Sequence, residues 1–414
     1  MQRIIDFFKR LTKIPQGIII VISAFLPLFA IVSMFPALPS IIDHFKDHPN
    51  ARELVPLMVS IPGLAIAICA PLAGYFVDKF GRIKLLVGGT FFYGFFGCLP
   101  FFLDDLYLMI ASRFFLGFSE AAILTVVNTL IADYWDDRGR KDWLFLQGIA
   151  GPFLGALVIR MAGPATEIQW NGVFLIYSVA FVIFLLMNKY LFEPQKDAAT
   201  SALSKEEQAA AKVAADTVVT PFPTQVMLLV GGVTLLTSAL YYVFIISGGL
   251  LFREMGVNEP SRISELSAIP SLFVMVGALI FRLLGSKTNA VQIGTFLILL
   301  CGGLFVMGTA NSIGFLIAGL VIQQTGAGMS IPVLIAWTQS KLPFKHRGRG
   351  MGIWATCFFF GQFSSPWLVA RAESVVGSVQ GAFLCAGIIG LTAACVAYSY
   401  RLFFSKPHLE AVRY

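Results

Sequence analysis

The sequence predicts an all-α membrane protein whose twelve transmembrane helices form two pseudo-symmetric six-helix bundles. Three observations predict this fold class: the composition, twelve apolar segments of membrane-crossing length, and a weak repeat between the two halves. Of the 414 residues, 57% are hydrophobic and only 13% are charged, whereas soluble domains have about 25% charged residues. The composition therefore favours a chain that folds within a lipid bilayer.

Twelve apolar segments are long enough to cross the roughly 30 Å hydrocarbon core as helices, which takes about 20 residues each. They are continuous apolar runs rather than the alternating ten-residue runs of membrane β-barrels, so helices are predicted. The predicted spans are residues 17–41, 54–77, 85–103, 107–132, 143–162, 172–192, 225–252, 264–284, 290–309, 313–339, 350–371 and 380–403.

The basic residues predict the orientation. With both termini in the cytoplasm, 23 of the 30 Lys and Arg residues lie on the cytoplasmic side, six on the opposite side, and one, Arg113, within a span. This bias follows the positive-inside rule. We therefore expect a protein of the bacterial inner (plasma) membrane with cytoplasmic N- and C-termini, and we attribute its net charge of +7 to topology rather than to nucleic-acid binding.

The composition also predicts the domain boundaries. Residues 193–224 are polar and Ala-rich, and the capping-box pattern from Ser204 to Glu207 predicts a short surface helix there. We assign residues 1–192 to an N-terminal bundle, 193–224 to a cytoplasmic linker and 225–414 to a C-terminal bundle. A shift of 209 residues aligns Gly117 with Gly326, which supports a duplication with the site between the halves.

Enzyme signatures are missing from the sequence: it has no His-Glu-x-x-His, P-loop or Gly-x-Ser-x-Gly pattern. The six cysteines all fall in apolar runs and the four histidines in loops or the tail. We therefore expect no enzymatic activity, no cofactor and no metal site.

The loop after the second span has the sequence GYFVDKFGRIK, residues 74–84. Its glycines allow close approach of helix ends, and Asp78 can pair with an arginine or a helix N-terminus. The loop resembles the signature of the major facilitator superfamily, Gly-x-Leu-x-Asp-Arg/Lys-x-Gly-Arg-Arg/Lys, although Phe76 and Ile83 depart from it. The resemblance implies the major facilitator fold and a conformational latch formed by Gly74, Asp78, Lys79, Gly81, Arg82 and Arg138.

Spans four and five carry two further resemblances. LMIASRFFLGFSEAA resembles the family's proton-coupling motif, in which Arg113 matches the arginine, and Leu116 replaces a glutamine. GIAGPFLGA resembles the antiporter motif, matched by Gly151, Pro152 and Gly155. The second motif implies an exporter. Pro36–Pro39 resembles the twelve-span drug/proton antiporters, in which an acid often stands where this chain has Val32.

Arg113 and Glu120 are the charges buried in span four. Seven residues of helix place them on one face, about 10 Å apart along the axis. Because a charge near the bilayer centre costs at least about 2.5 to 3.5 kcal/mol, it normally faces a cavity or a partner. We predict that Glu120 carries a proton and that Arg113 responds to its charge. The alternative is a static pair that holds span four to a neighbouring helix.

Polar and aromatic residues in spans four, seven, ten and eleven are weaker candidates for a substrate cavity, with helix packing as the alternative. They are Asn128, Tyr241, Tyr242, Gln323, Gln324, Trp354 and Gln362.

The predicted function is proton-coupled export of small amphiphilic or drug-like compounds by alternating access, by an antiporter that works as a monomer. The predicted partners are a small-molecule substrate, protons and the lipid bilayer, and no nucleic acid. Two alternatives stay open: a proton-coupled transporter of an anionic metabolite or siderophore, with Arg113 as the anion's partner, and a non-transporting receptor with the same fold.

Overall fold

The structure, a computed structural model, describes residues 13–69, 72, 77, 79–193, 222–343 and 346–404; for residues 128, 132, 137, 138, 141 and 400–404 it describes the backbone only. The regular secondary structure of these residues is helical, and each predicted span corresponds to one helix. The helices are α1 (Ile14–His44), α2 (Ala51–Cys69), α3 (Arg82–Phe102), α4 (Leu106–Tyr134), α5 (Asp137–Ile168), α6 (Gly172–Tyr190), α7 (Thr224–Glu254), α8 (Pro260–Leu283), α9 (Asn289–Gly308), α10 (Ile313–Ser340), α11 (Arg347–Val376) and α12 (Val379–Phe404).

Among the described helices, eleven are long and apolar enough to cross a membrane. The remaining one, α11, has 30 residues, a length of about 45 Å that suffices for crossing. Polar residues such as Gln362 and Arg371 lower its mean hydropathy. Large apolar side chains such as Leu185, Leu228 and Leu279 are exposed on the helix surfaces, as expected where lipid covers a membrane protein. The all-α membrane fold predicted from the sequence is confirmed.

The first span differs from its prediction as one continuous helix. It consists of three segments, Ile14–Ser23, Leu26–Val32 and Met34–His44. Pro27 and Pro36 lie in the first turns of the second and third segments, and a proline cannot donate a backbone hydrogen bond to the preceding turn. Because the last four carbonyl groups of a helical segment have no donor within it, the interruption at Ser33 leaves carbonyl oxygens available to side chains of other helices.

The twelve helices pack as two six-helix bundles, α1–α6 and α7–α12. Three helix pairs make the most extensive contacts between the bundles: α1 with α7, α2 with α11, and α5 with α8; α1 also contacts α8, and α2 also contacts α7. We call the end of the bundles that carries residues 193 and 222 the linker end, and the opposite end, where α1 ends and α2 begins, the far end. The interface between the bundles extends from the far end to Ala67 of α2, whose carbonyl oxygen accepts a hydrogen bond from Thr356 of α11 over 3.1 Å.

Several predicted features lie outside the described residues. Gly74 and Asp78 of the latch do so, as do residues 194–221 with their predicted surface helix, and the side chains of Asn128 and Arg138. The exact boundaries of the linker and of the two bundles therefore stay predictions.

Candidate functional site

Arg113 of α4 is completely buried, and it contacts the interruption of α1. Its Nη2 donates a hydrogen bond of 3.2 Å to the carbonyl oxygen of Ala30, one of the last carbonyls of the second α1 segment. The hydroxyl of Tyr177, on α6, donates to the same oxygen over 2.7 Å, and the guanidinium lies 4.8 Å from the centre of the Tyr177 ring. The broken helix thus supplies the acceptor that binds the buried cation.

Two nitrogens of Arg113, Nε and Nη1, have no hydrogen-bond partner among the described residues. An arginine presents its donors as a planar fork. A part of this fork is therefore available to another group.

Glu120 lies two helical turns from Arg113 and only 2% of it is exposed. Its Oε1 has no hydrogen-bond partner among the described residues, and no ion pair within 4.0 Å joins it to Arg113. It is close enough to the hydroxyls of Tyr93, on α3, and Tyr242, on α7, to interact with them electrostatically. Since α7 belongs to the other bundle, Glu120 lies where the two bundles face each other.

The latch residues that the structure describes lie at the linker end. Gly81 has a φ of +81°, which glycine adopts easily and other residues rarely do. Arg82 forms an ion pair with Asp133 at the end of α4, and Lys79 lies 5.5 Å from the centre of the Phe80 ring.

Glu193 binds the same region, and the sequence analysis did not single it out. Its carboxylate accepts hydrogen bonds from the backbone nitrogens of Arg82 and Ile83, over 2.8 and 2.9 Å. A carboxylate at the start of a helix is stabilised by the helix dipole. The sequence could have indicated Glu193 as a candidate, because it is the first acidic residue after the sixth predicted span. Nothing in the sequence indicates that Asp133 pairs with Arg82, because the two residues are 51 positions apart.

The residues of the predicted antiporter motif lie where α5 packs against α1. A β-carbon on Gly151 would lie 2.5 Å from Cε1 of Phe25, and one on Gly155 would lie 3.7 Å from Cδ2 of Leu28. Phe25 occupies the first interruption of α1. Pro152 lies inside α5, which continues through it. The motif therefore allows α5 to approach the irregular part of α1.

Three of the candidate cavity residues form one aromatic cluster in the second bundle. The rings of Tyr241 and Tyr242 are 4.9 Å apart, and Phe358 connects them to Trp354, at 5.9 Å from Tyr242 and 5.3 Å from Trp354. The Nε1 of Trp354 is buried without a hydrogen-bond partner among the described residues. This donor is available to an acceptor group of a ligand.

The three glutamines occupy other positions. Gln324 donates to Gln323 over 2.9 Å, and Gln323 packs closely against Gly303 of α9, inside the second bundle. Gln362 contacts the other bundle, since a β-carbon on Gly63 of α2 would lie 3.1 Å from its Cδ. The structure thus brings only Gln362 of these three to a helix of the first bundle.

Ion pairs connect the two bundles at the far end, one on each of the three helix pairs. Asp43 of α1 accepts from Arg253 of α7 over 2.7 Å, and Arg160 of α5 donates to Glu265 of α8 over 3.2 Å. Arg52 of α2 pairs with Glu373 of α11. We refer to these three ion pairs as the far-end seal; its members are Asp43, Arg52, Arg160, Arg253, Glu265 and Glu373.

A glycine allows each of these helix pairs to approach closely. A β-carbon on Gly249 of α7 would overlap the carbonyl oxygen of Phe35 of α1. One on Gly163 of α5 would lie 2.5 Å from the carbonyl oxygen of Pro260 of α8, and one on Gly63 of α2 would lie 2.8 Å from that of Phe359 of α11. The bundles are therefore in backbone contact along all three pairs.

Comparison with known families identifies the fold. The family model described as "Major Facilitator Superfamily" matches residues 20–366 and 251–412. The chain belongs to the Major Facilitator Superfamily. The family resemblance inferred from the loop at 74–84 is confirmed. The members of this superfamily are membrane transporters that bind small-molecule substrates.

Individual relatives within the superfamily are distant. An uncharacterised MFS-type transporter of Methanocaldococcus jannaschii is 21% identical over 346 residues, which cover 81% of this chain and 86% of the relative. A triacylglyceride transporter of Mycobacteroides abscessus is 27% identical over 131 residues, which cover 30% of this chain and 25% of that protein. The crystal structure of a D-xylose–proton symporter superposes with a TM-score of 0.72 at 13% identity, covering 94% of this chain and 97% of the symporter. At such low identity, the superposition establishes the fold alone.

Proposed function

We propose that this chain is a proton-coupled antiporter that exports small amphiphilic or drug-like compounds from the cytoplasm by alternating access. We further propose that it functions as a monomer in the bacterial inner membrane, with both termini in the cytoplasm. The antiporter motif at Gly151–Gly155 and the match to a triacylglyceride transporter support export of an apolar or amphiphilic compound.

The burial of Glu120 between the two bundles is the observation that carries the proposal. It is an acid buried at the boundary of the bundles, with one carboxyl oxygen that has no hydrogen-bond partner among the described residues. A carboxylate without a partner is costly in such a place, whereas a neutral carboxylic acid is tolerated. A group that alternates between these two forms as the bundles move can couple a proton to the motion.

In this proposal, Arg113 is the positive charge that attracts Glu120 when Glu120 is ionised. Its bond to Ala30 attaches it to α1, and α1 also crosses α7 at the far end. In the proposed cycle a proton from the far side neutralises Glu120, the linker end opens and the proton leaves to the cytoplasm. The substrate then moves outward while Glu120 is charged and is attracted to Arg113.

Proteoliposomes with an imposed pH gradient test this proposal. Addition of an amphiphilic cation such as ethidium should dissipate the gradient, as measured with a pH-sensitive dye inside the vesicles. Glu120→Gln should abolish the coupled proton flux, while Glu53→Gln, the same change at an exposed acid of α2, should leave it unchanged. Full coupled transport by the Glu120→Gln variant would exclude Glu120 as the proton carrier.

A second candidate function is favoured by the free donors of Arg113. The Nε and Nη1 atoms are both without a partner among the described residues. Each of them shares an edge of the guanidinium with Nη2, so a carboxylate can accept from one of these nitrogens and from the second N–H of Nη2. The substrate would then be an anionic metabolite or siderophore. Arg113→Lys keeps the charge and loses the fork, so transport of a radiolabelled monocarboxylate should fall more than tenfold. If export of ethidium falls instead while monocarboxylates are not transported, the second candidate is excluded.

A further inference from the structure

We infer that the linker end of the second bundle binds the headgroups of anionic phospholipids through a basic patch. The patch consists of Arg282 and Lys287, between α8 and α9, and Lys341 and Arg349, between α10 and α11. All four side chains are exposed. This inference is independent of the proposed transport cycle.

The two loops that carry the patch are held side by side. Asn289, at the start of α9, donates to the hydroxyl of Ser340, at the end of α10, over 3.2 Å. Gln292 donates to the carbonyl oxygens of Leu284 and Lys287, over 3.1 and 3.0 Å, and so fixes the first loop. The bond between Asn289 and Ser340 places Lys287 and Lys341, which lie two residues and one residue from its ends, on one surface.

Acidic residues are missing from this part of the chain. The sequence contains no Asp or Glu between Glu265 and Glu373, and none of the four patch residues forms an ion pair with a described residue. The first bundle differs at the same end, where Arg82 is paired with Asp133. The positive-inside rule accounts for basic residues at this end of the helices, whereas acidic residues have little effect on the orientation of a membrane protein. Topology alone therefore does not explain why the patch has no acidic partner among the residues that the structure describes.

The patch adjoins the surface that faces lipid. Leu279 and Leu283, which flank Arg282 on α8, are 56% and 70% exposed. An apolar face that ends in an exposed guanidinium suits a phospholipid, because acyl chains contact the leucines and the phosphate accepts hydrogen bonds from the arginine. Anionic lipids are attracted to such basic clusters beside membrane helices.

Another segment of the chain approaches the patch. Arg349 lies 4.5 Å from the centre of the ring of Phe222, near the end of the linker, and the linker also contains Glu206 and Glu207. The linker carries five acidic and three basic residues, a net charge of −2, and one of these acids, Glu193, is bound at the start of α3. The remaining net charge of −1 is spread along the linker, so it matches the patch less well than an anionic lipid does. Occupation by the linker is tested below as the competing outcome.

Lipid titration of the purified full chain in a neutral detergent tests the inference. Binding of phosphatidylglycerol, followed by microscale thermophoresis, should be much tighter than binding of phosphatidylcholine. In detergent only a base beside the bound headgroup contributes, by about 1 kcal/mol or a factor of about five in affinity. The variant R282Q/K287Q should therefore bind phosphatidylglycerol about 25-fold more weakly. The matched variant K84Q/K189Q removes two exposed charges from the same end of the first bundle and should bind within twofold of the parent. Size-exclusion profiles verify that both variants are folded.

Four results would overturn the inference. Equal losses in the two variants would show a general surface attraction, and equal affinity for the two lipids would show that the headgroup charge is not recognised. Displacement of the lipid by millimolar inorganic phosphate would assign the patch to a soluble anion. Tighter lipid binding by E206Q/E207Q would show that the linker occupies the patch.

Discussion

Gly249 lies where α7 crosses α1 near the far end, and a side chain there should open the contact between the bundles. A β-carbon at this position would overlap the carbonyl oxygen of Phe35 and lie 3.3 Å from Cδ of Pro39. A backbone carbonyl and a proline ring cannot rotate away as a flexible side chain would. Overpacking of this kind costs about 1 to 3 kcal/mol. Gly249→Val should therefore lower the ratio of the closed to the open far end by about five- to 150-fold, at about 1.4 kcal/mol per factor of ten.

Thiol labelling of Ser264→Cys measures this opening. Ser264 of α8 is fully buried in the α5–α8 contact, on a different helix pair from Gly249, and Cys differs from Ser by one atom. In detergent solution the labelling rate of this cysteine by a charged maleimide follows the population in which the far end is open, since the closed form hides it. The rate, corrected for the six native cysteines, should rise by the factor given above if the bundles move as rigid bodies.

Gly232 provides the matched control, because it lies on the same helix and a β-carbon there has no atom within 4 Å. Gly232→Val should leave the labelling rate of Cys at position 264 unchanged. Equal rates in the two valine variants would refute the reasoning, since they would show that the Gly249 contact does not keep the far end closed.

Two other contacts give smaller expected effects. Asp43→Arg should raise the same labelling rate by about 1.4- to fivefold, because a partly exposed ion pair is worth about 0.2 to 1 kcal/mol. The double variant D43R/R253D should return the labelling rate to that of the parent. A rate that does not recover would mean that the ion pair contributes nothing. Tyr177→Phe removes one of the two donors to Ala30 and should lower the free energy of unfolding by about 0.5 to 1.5 kcal/mol. The control Tyr190→Phe, on the same helix, should lower it less, and thermal unfolding in detergent measures both.

The membrane helices were predictable because the lipid imposes an apolar composition on every residue that faces it. The ends of the helices were less predictable from the sequence. The fifth span, predicted from residue 143, begins at Asp137 as helix α5, since polar residues beyond the hydrocarbon core continue the helix without an apolar signal. The interruptions of α1 were not predicted because Pro27 and Pro36 lie within a continuous apolar run, and such a run predicts a single uninterrupted span.

Only the charged residues of the candidate site could be predicted from the sequence. Arg113 and Glu120 stand out because charges are rare in apolar spans. Ala30 binds Arg113 through a backbone carbonyl, which no side-chain pattern reveals, and Tyr177 reaches the same carbonyl from a helix 64 residues further along the chain. The far-end seal was also out of reach, since Arg52 and Glu373 are 321 residues apart and their pairing depends on how the bundles meet.

The far-end seal has a strength that suits repeated opening. Each of its side chains is at least 20% exposed, so each pair contributes about 0.2 to 1 kcal/mol and the three together at most about 3 kcal/mol. Moving one elementary charge through a membrane potential of 100 mV provides about 2.3 kcal/mol. One proton that crosses the membrane per proposed cycle therefore provides a free energy of the same size as the seal.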